Sequence, residues 1–134
     1  MRTITSVSCN HKINEMTTKE VAQKLVSHYN AGELDQITEL YDENVVSIEK
    51  DGSGDHGHIQ GLEARKQKTE QWQNMMETHN ATASEPLVSE NQFAVRFEFD
   101  CTQRDTGERM QVDEIGIYHV RDGKIVREQF WYGE

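Results

Sequence analysis

ERMQVDEIGIYHVRDGKIVREQFWYGE, residues 108–134, reads as two long strands joined by a tight hairpin. Asp122-Gly123 favours a type I′ turn, which sets Arg121 opposite Lys124 and steps the pairing outward from there. That register pairs Val120 with Ile125, His119 with Val126, Ile117 with Glu128, Ile115 with Phe130 and Asp113 with Tyr132. Because strand side chains alternate between faces, Asp113, Ile115, Ile117, His119, Val126, Glu128, Phe130 and Tyr132 share one face. Val112, Glu114, Gly116, Tyr118, Val120, Ile125, Arg127, Gln129 and Trp131 share the other. Both faces hold large apolar groups, so the sheet is expected to be covered on both sides. The first face, which mixes aliphatic and aromatic residues with acids, suits the wall of a small-molecule pocket.

Upstream of the hairpin, residues 81–88 and 92–102 read as further strands. The second of these sets Val95, Phe97, Phe99 and Cys101 in an apolar row against Arg96, Glu98 and Asp100. Nearer the start, Thr17-Thr18-Lys19-Glu20 has the form of a capping box. Val21, Leu25, Val26 and Tyr29 then recur at helical spacing, and Gly32 supplies a stop. A shorter helix is predicted over 33–41, a strand over 45–50, and a glycine-rich loop over 51–61. The longest helix is predicted over 62–79, with Trp72, Met75, Met76 and His79 on one stripe. Residues 1–16 read as a flexible leader or an added edge strand, and 17–134 as one domain. Helices first and an antiparallel meander after them give an α+β class, with a curved antiparallel sheet wrapped around three helices to form a cone with an internal pocket.

A chain of 134 residues fits one domain with a single core. Only 34% of residues are hydrophobic and the formal charge is -10, which repels phosphate backbones and anionic lipid. No basic cluster larger than Arg65, Lys66 and Lys68 relieves that charge, so neither nucleic acid nor membrane is an expected partner. The two cysteines, Cys9 and Cys101, are far apart and form no metal-type pair, which fits free thiols in a cytoplasmic protein.

The stretches AGELDQITELYDENVVSIE (31–49), HIQGLEARK (58–66) and VDEIGIYHVRDGKIVREQFWY (112–132) resemble the nuclear transport factor 2-like superfamily, in its SnoaL-like and ketosteroid isomerase-like branch. The resemblance spans about residues 17–132 and implies a cystatin-like α+β barrel. It implies no single reaction, because this fold hosts cyclases, isomerases, dehydratases, hydrolases and non-enzymatic binders. In the isomerase branch the proton-shuttling carboxylate falls on Glu49. The tyrosine that stabilises the enolate oxygen falls on Leu25, and its carboxylic-acid partner falls near Gly116. Loss of both donors removes the usual oxyanion stabilisation, so steroid isomerisation is not expected.

The residues themselves leave the orientation of Glu49 open: Val46 and Ile48 make the more apolar face and would turn it to water, whereas the resemblance turns Val45, Ser47 and Glu49 inward. The expected site is Glu49 as base with His79, Glu128 and Asp113 as polar partners. Its expected walls are Trp72, Met75, Met76, Val95, Phe97, Phe99, Ile115, Ile117, Phe130 and Tyr132, around a small apolar organic ligand and without a cofactor. Isomerisation, cyclisation or dehydration by proton transfer is the expected chemistry, with a non-catalytic binding domain as the rival. Asp55, His56 and His58 have a metal-like composition but read as a solvated loop, so no metal is expected. Val112, Tyr118, Val120, Ile125 and Trp131 are expected to form an outer apolar face that joins two copies in a dimer.

Overall fold

The computed structural model describes residues 15–50 and 57–133. The first helix, α1 (Thr18–Ala31), starts as the sequence predicts. The Thr17 hydroxyl accepts from the Glu20 amide, the Glu20 carboxylate accepts from the Thr17 amide, and Gly32 closes the helix at φ 74°. Its buried face, Val21, Ala22 and Leu25, lies against the sheet. A five-residue helix, α2 (Leu34–Thr38), follows and ends earlier than predicted. Tyr41, expected at its end, is instead the first residue of strand β1 (Tyr41–Glu49) and is buried. Strand β2 (His58–Gln60) folds back on β1, and α3 (Leu62–Met75) crosses the sheet.

The predicted helix over 62–79 is overturned in its last turn. The chain passes into strand β3 (Met76–Ala83) with Met76 already extended at φ -123°. Thr78, Thr82 and their neighbours pair with the next long strand, and those ladder bonds outweigh one more turn of a helix that buries no residue fully. The rest is β4 (Leu87–Val88), β5 (Gln92–Gln103), β6 (Arg109–Arg121) and β7 (Lys124–Tyr132). The sheet runs β2-β1-β7-β6-β5-β3, with β4 beside β5. It is antiparallel throughout except where β1 lies parallel to β7.

One residue in the last hairpin re-sorts the faces. Arg121 meets Lys124 and Val120 meets Ile125 as predicted, but His119 then meets Arg127, which leaves Val126 as an extra residue in β7. Beyond this bulge Tyr118 lies opposite Glu128, Gly116 opposite Phe130 and Glu114 opposite Tyr132. The inner face therefore combines Glu128, Phe130 and Tyr132 from β7, as expected, with Glu114, Gly116 and Tyr118 from β6, which were assigned to the other face. Asp113, Ile115, Ile117 and His119 turn outward. The expected dimer face is corrected by the same shift, because Tyr118, Val120 and Ile125 are core residues packed with Phe93, Val95 and Leu25. The leader expected over 1–16 is described only from Glu15 onward, and there Met16 packs on the core beside the Gly123 turn.

Candidate functional site

At the closed side of the sheet a charge is buried with its full set of partners. Glu128 is 1% exposed, and one carboxylate oxygen accepts from the Tyr41 hydroxyl at 2.5 Å. The other accepts from Ser47 Oγ at 2.7 Å and from Arg65 Nε at 2.7 Å. Arg65 also donates to the Tyr41 oxygen at 2.8 Å and stacks on its ring at 3.9 Å. Burial alone would push the Glu128 pKa up. The Arg65 charge and the three donors outweigh that and hold it below the ordinary carboxylate range. For Arg65 burial works against the charge, and Glu128 more than restores it. The network ties β1, β7 and α3 together and leaves Glu128 no capacity for proton exchange near neutrality.

One step further toward the open end, Glu49 turns inward in β1. Ser47 and Val45 are fully buried on the same side, so the turn of this strand is the one the resemblance implies. Glu49 Oε2 lies 2.5 Å from Lys68 Nζ, and its Oε1 accepts from the Tyr132 hydroxyl at 3.1 Å. Lys68 also donates to Ser47 Oγ at 3.3 Å and sits 5.7 Å from the centre of the Phe130 ring.

Glu114 faces this pair from β6 and has a different environment. Among the described residues its side chain has no hydrogen-bond or ion-pair partner. Burial, and then the negative charge of Glu49, raise its pKa from 4.5 to about 7 against the weaker opposing pull of Lys68. Tyr29 of α1 is raised to about 12 by burial and by Glu114. The walls between these groups are aromatic: Tyr29 packs on Phe97 with ring centres 4.8 Å apart, and Trp72 meets Phe99 edge-on at 5.8 Å. At the rim, Glu114 and Tyr132 also border an open depression of about 440 Å3 whose other side is Arg96, Asp113, Ile115 and Trp131.

A family model described as a SnoaL-like domain matches residues 16–132. The chain belongs to the SnoaL-like family. Among solved structures, a protein from Mesorhizobium loti with the provisional description SnoaL-like polyketide cyclase [carbohydrate phosphatase] is 37% identical. That match covers 87% of this chain and 100% of the other, with a TM-score of 0.82. A nuclear transport factor 2-like protein from Burkholderia thailandensis shares the fold at 11% identity over 88% of this chain and 92% of its own, with a TM-score of 0.77. So does a Catenulispora acidiphila protein of ketosteroid isomerase-like fold, solved in complex with trimethylamine, at 13% identity, coverage of 87% and 88%, and a TM-score of 0.68. No curated protein matches.

Within this SnoaL-like frame the structure brings together Glu49, Glu128, Trp72, Val95, Phe97, Phe99, Phe130 and Tyr132. It does not bring in Asp113, which is exposed on the outer face and held by Arg96 at 2.8 Å, nor Ile115 and Ile117 beside it. His79 is also elsewhere. It is exposed on β3, with Nε2 2.7 Å from Thr102 Oγ1. Met75 is exposed, and Met76 is buried where β3 begins. His58 is exposed in β2, while Asp55 and His56 lie outside the described residues. Among the described residues no group of three metal-type ligands converges, and no helix is long and apolar enough to cross a membrane.

Four polar residues of the site were not anticipated: Tyr41, Arg65, Lys68 and Glu114. Arg65, Lys68 and Trp72 stand at i, i+3 and i+7, a helical stripe legible in the sequence, where Arg65 and Lys68 were read only as members of a basic cluster and Trp72 as a pocket wall. Glu114 was hidden by the bulge at Val126.

Proposed function

We propose that this SnoaL-like domain catalyses cofactor-free proton transfer on a small, largely apolar molecule bearing an enolisable carbonyl, with Glu114 as the group that takes up and returns the proton. The observation that carries this reading is an unpaired carboxyl with a pKa of about 7 set among aromatic rings and facing a lysine–carboxylate pair. A base is most effective when its pKa lies near the working pH, and Glu114 meets that condition. Glu49 suits the role less well, because its charge is already matched by Lys68. In the first step the carbon–hydrogen bond next to the carbonyl breaks and the proton passes to Glu114. The electron pair moves into the carbonyl to give an enolate. Return of the proton at another carbon isomerises the molecule, whereas attack of the enolate on a second carbonyl closes a ring and leaves an alkoxide that takes the proton back from Glu114. A second copy of the chain covers the outer sheet face, where Ile115 and Trp131 stand exposed.

Exchange of α-protons for deuterium in small cyclic ketones and 1,3-diketones, followed by NMR in D2O, tests the reaction. The wild type is expected to accelerate exchange for at least one such compound, and Glu114→Gln to lose on the order of 100-fold or more, the scale of a removed general base. A specific observation favours the rival reading of a binding domain: Leu25 occupies the place of the enolate-stabilising tyrosine. Binding with no exchange above buffer would select that rival.

A further inference from the structure

Resting on that reading, we infer that Lys68 is the side chain that holds the substrate's carbonyl oxygen and stabilises the negative charge that forms there, with Glu49 and Ser47 positioning it. Proton uptake by Glu114 moves one negative charge from that carboxyl to the substrate oxygen, so a cation must face the space between them. Arg65 is tied into the buried network instead, with its Nε bound to Glu128, its Nη2 to the Tyr41 oxygen, and its plane stacked on the Tyr41 ring. Lys50 lies over the Tyr132 ring at 4.7 Å. Lys68 lies 5.7 Å from the centre of the Phe130 ring, and it is the lysine whose charge acts on Glu114.

An ammonium group carries three donors. Two of those on Lys68 are directed at Glu49 Oε2 and Ser47 Oγ, which fixes the nitrogen and leaves the third for a ligand oxygen. Lys68 meets Glu49 and Ser47 from β1 and Phe130 from β7, and its charge acts on Glu114 from β6, which in turn feels Glu128 from β7 and Tyr29 from α1. Of these, Glu114 is the carboxyl whose pKa is raised to about 7. With Glu49 paired to Lys68 and Glu128 paired to Arg65, a protonated Glu114 leaves the remaining Lys68 donor to meet a negative charge on the ligand. This arrangement favours a substrate whose reacting oxygen becomes an anion, an enolate or a phenolate-like ring oxygen, over one that forms a cation.

A coloured anion reads this directly. The probe is 4-nitrophenol, yellow only when ionised, and the host is Glu114→Gln, whose neutral amide stands in for the protonated acid. At pH 6 the bound probe is expected to be at least tenfold richer in anion than the free probe. Adding Lys68→Met should abolish the enrichment while the neutral form still binds, and Lys68→Arg should keep part of it. If Lys68→Met fails to fold because Glu49 is left without its partner, Glu49→Gln with Lys68→Met removes the pair together and takes its place. Enrichment that survives the loss of Lys68 overturns the role of Lys68 and leaves the proton-transfer reading intact. Failure of the wild type to bind 4-nitrophenol in either form overturns the inner face around Lys68 and Glu114 as a binding site, and with it both proposals.

Discussion

Glu114 gives up water on the inner face of β6 without gaining a cation of its own, and its proton therefore stays on until about pH 7. The same placement fixes how stability depends on pH. In the unfolded chain this carboxyl ionises near 4.5 and in the fold near 7, so between those values the folded state binds more protons. Stability is expected to fall as pH rises through that window, with the cost complete above it. Glu114→Gln removes the charge and should stabilise the protein at pH 8 by ~1–3 kcal/mol while matching the wild type near pH 4. Urea unfolding of both proteins at the two pH values checks this. An equal gap at both values would mean that the carboxyl is not held in a low-dielectric setting. Glu128 has the opposite sign, since its pKa is depressed in the fold. Its contribution is intact above the ordinary carboxylate range and is lost only as acid protonates it.

At the scale of elements, the β6–β7 hairpin shows what was legible and what was not. The turn, both strands and the inward placement of Glu128, Phe130 and Tyr132 follow from alternation counted along β7. The β6 half failed because a one-residue bulge exchanges the two faces, and Val126 carries no side-chain signal that marks it as extra. Both faces of β6 are apolar enough to be core, so hydrophobic pattern alone could not decide between them. The capping box of α1 was legible because its chemistry is local. The end of α3 was not, since Met76, Glu77 and Thr78 are drawn into the sheet by Gln103, Thr102 and Cys101, more than twenty positions away. At Gly116, near which the resemblance places an acid, the packing leaves no room for a side chain. A Cβ there would lie 2.9 Å from the Tyr118 ring, 3.0 Å from Phe130 and 3.1 Å from Phe97, so three rings fill that place. Gly116→Ala is expected to destabilise by about 1–3 kcal/mol through overpacking. Gly107→Ala, which has open space but a φ of 75°, serves as a strained but uncrowded control. If Gly116→Ala unfolds at the same urea concentration as the wild type, the three rings are not packed as described.

For the molecule as a whole, the corrected register changes which apolar residues stand on the exposed side. The inner side carries the core and is covered by α1 and α3, while the outer side presents Ile115 and Trp131, neighbours in register and 46% and 47% exposed. Ile117 and Ile48 continue the same side, and the exposed Arg96–Asp113 pair borders it. Two-fold association lets such a face cover its own copy, and a stable contact needs on the order of 1,000 Å2 or more buried in total. Each copy carries a formal charge of -10, so the two repel, and screening should strengthen the dimer as salt rises toward about 0.3 M. Sedimentation velocity at tens of micromolar is expected to give a dimer whose dissociation constant falls with added salt. Trp131→Glu should weaken it by tenfold or more without changing the thermal midpoint of the isolated fold, because Trp131 lies outside the core. A monomer under every salt condition would mean that this face meets something other than its own copy.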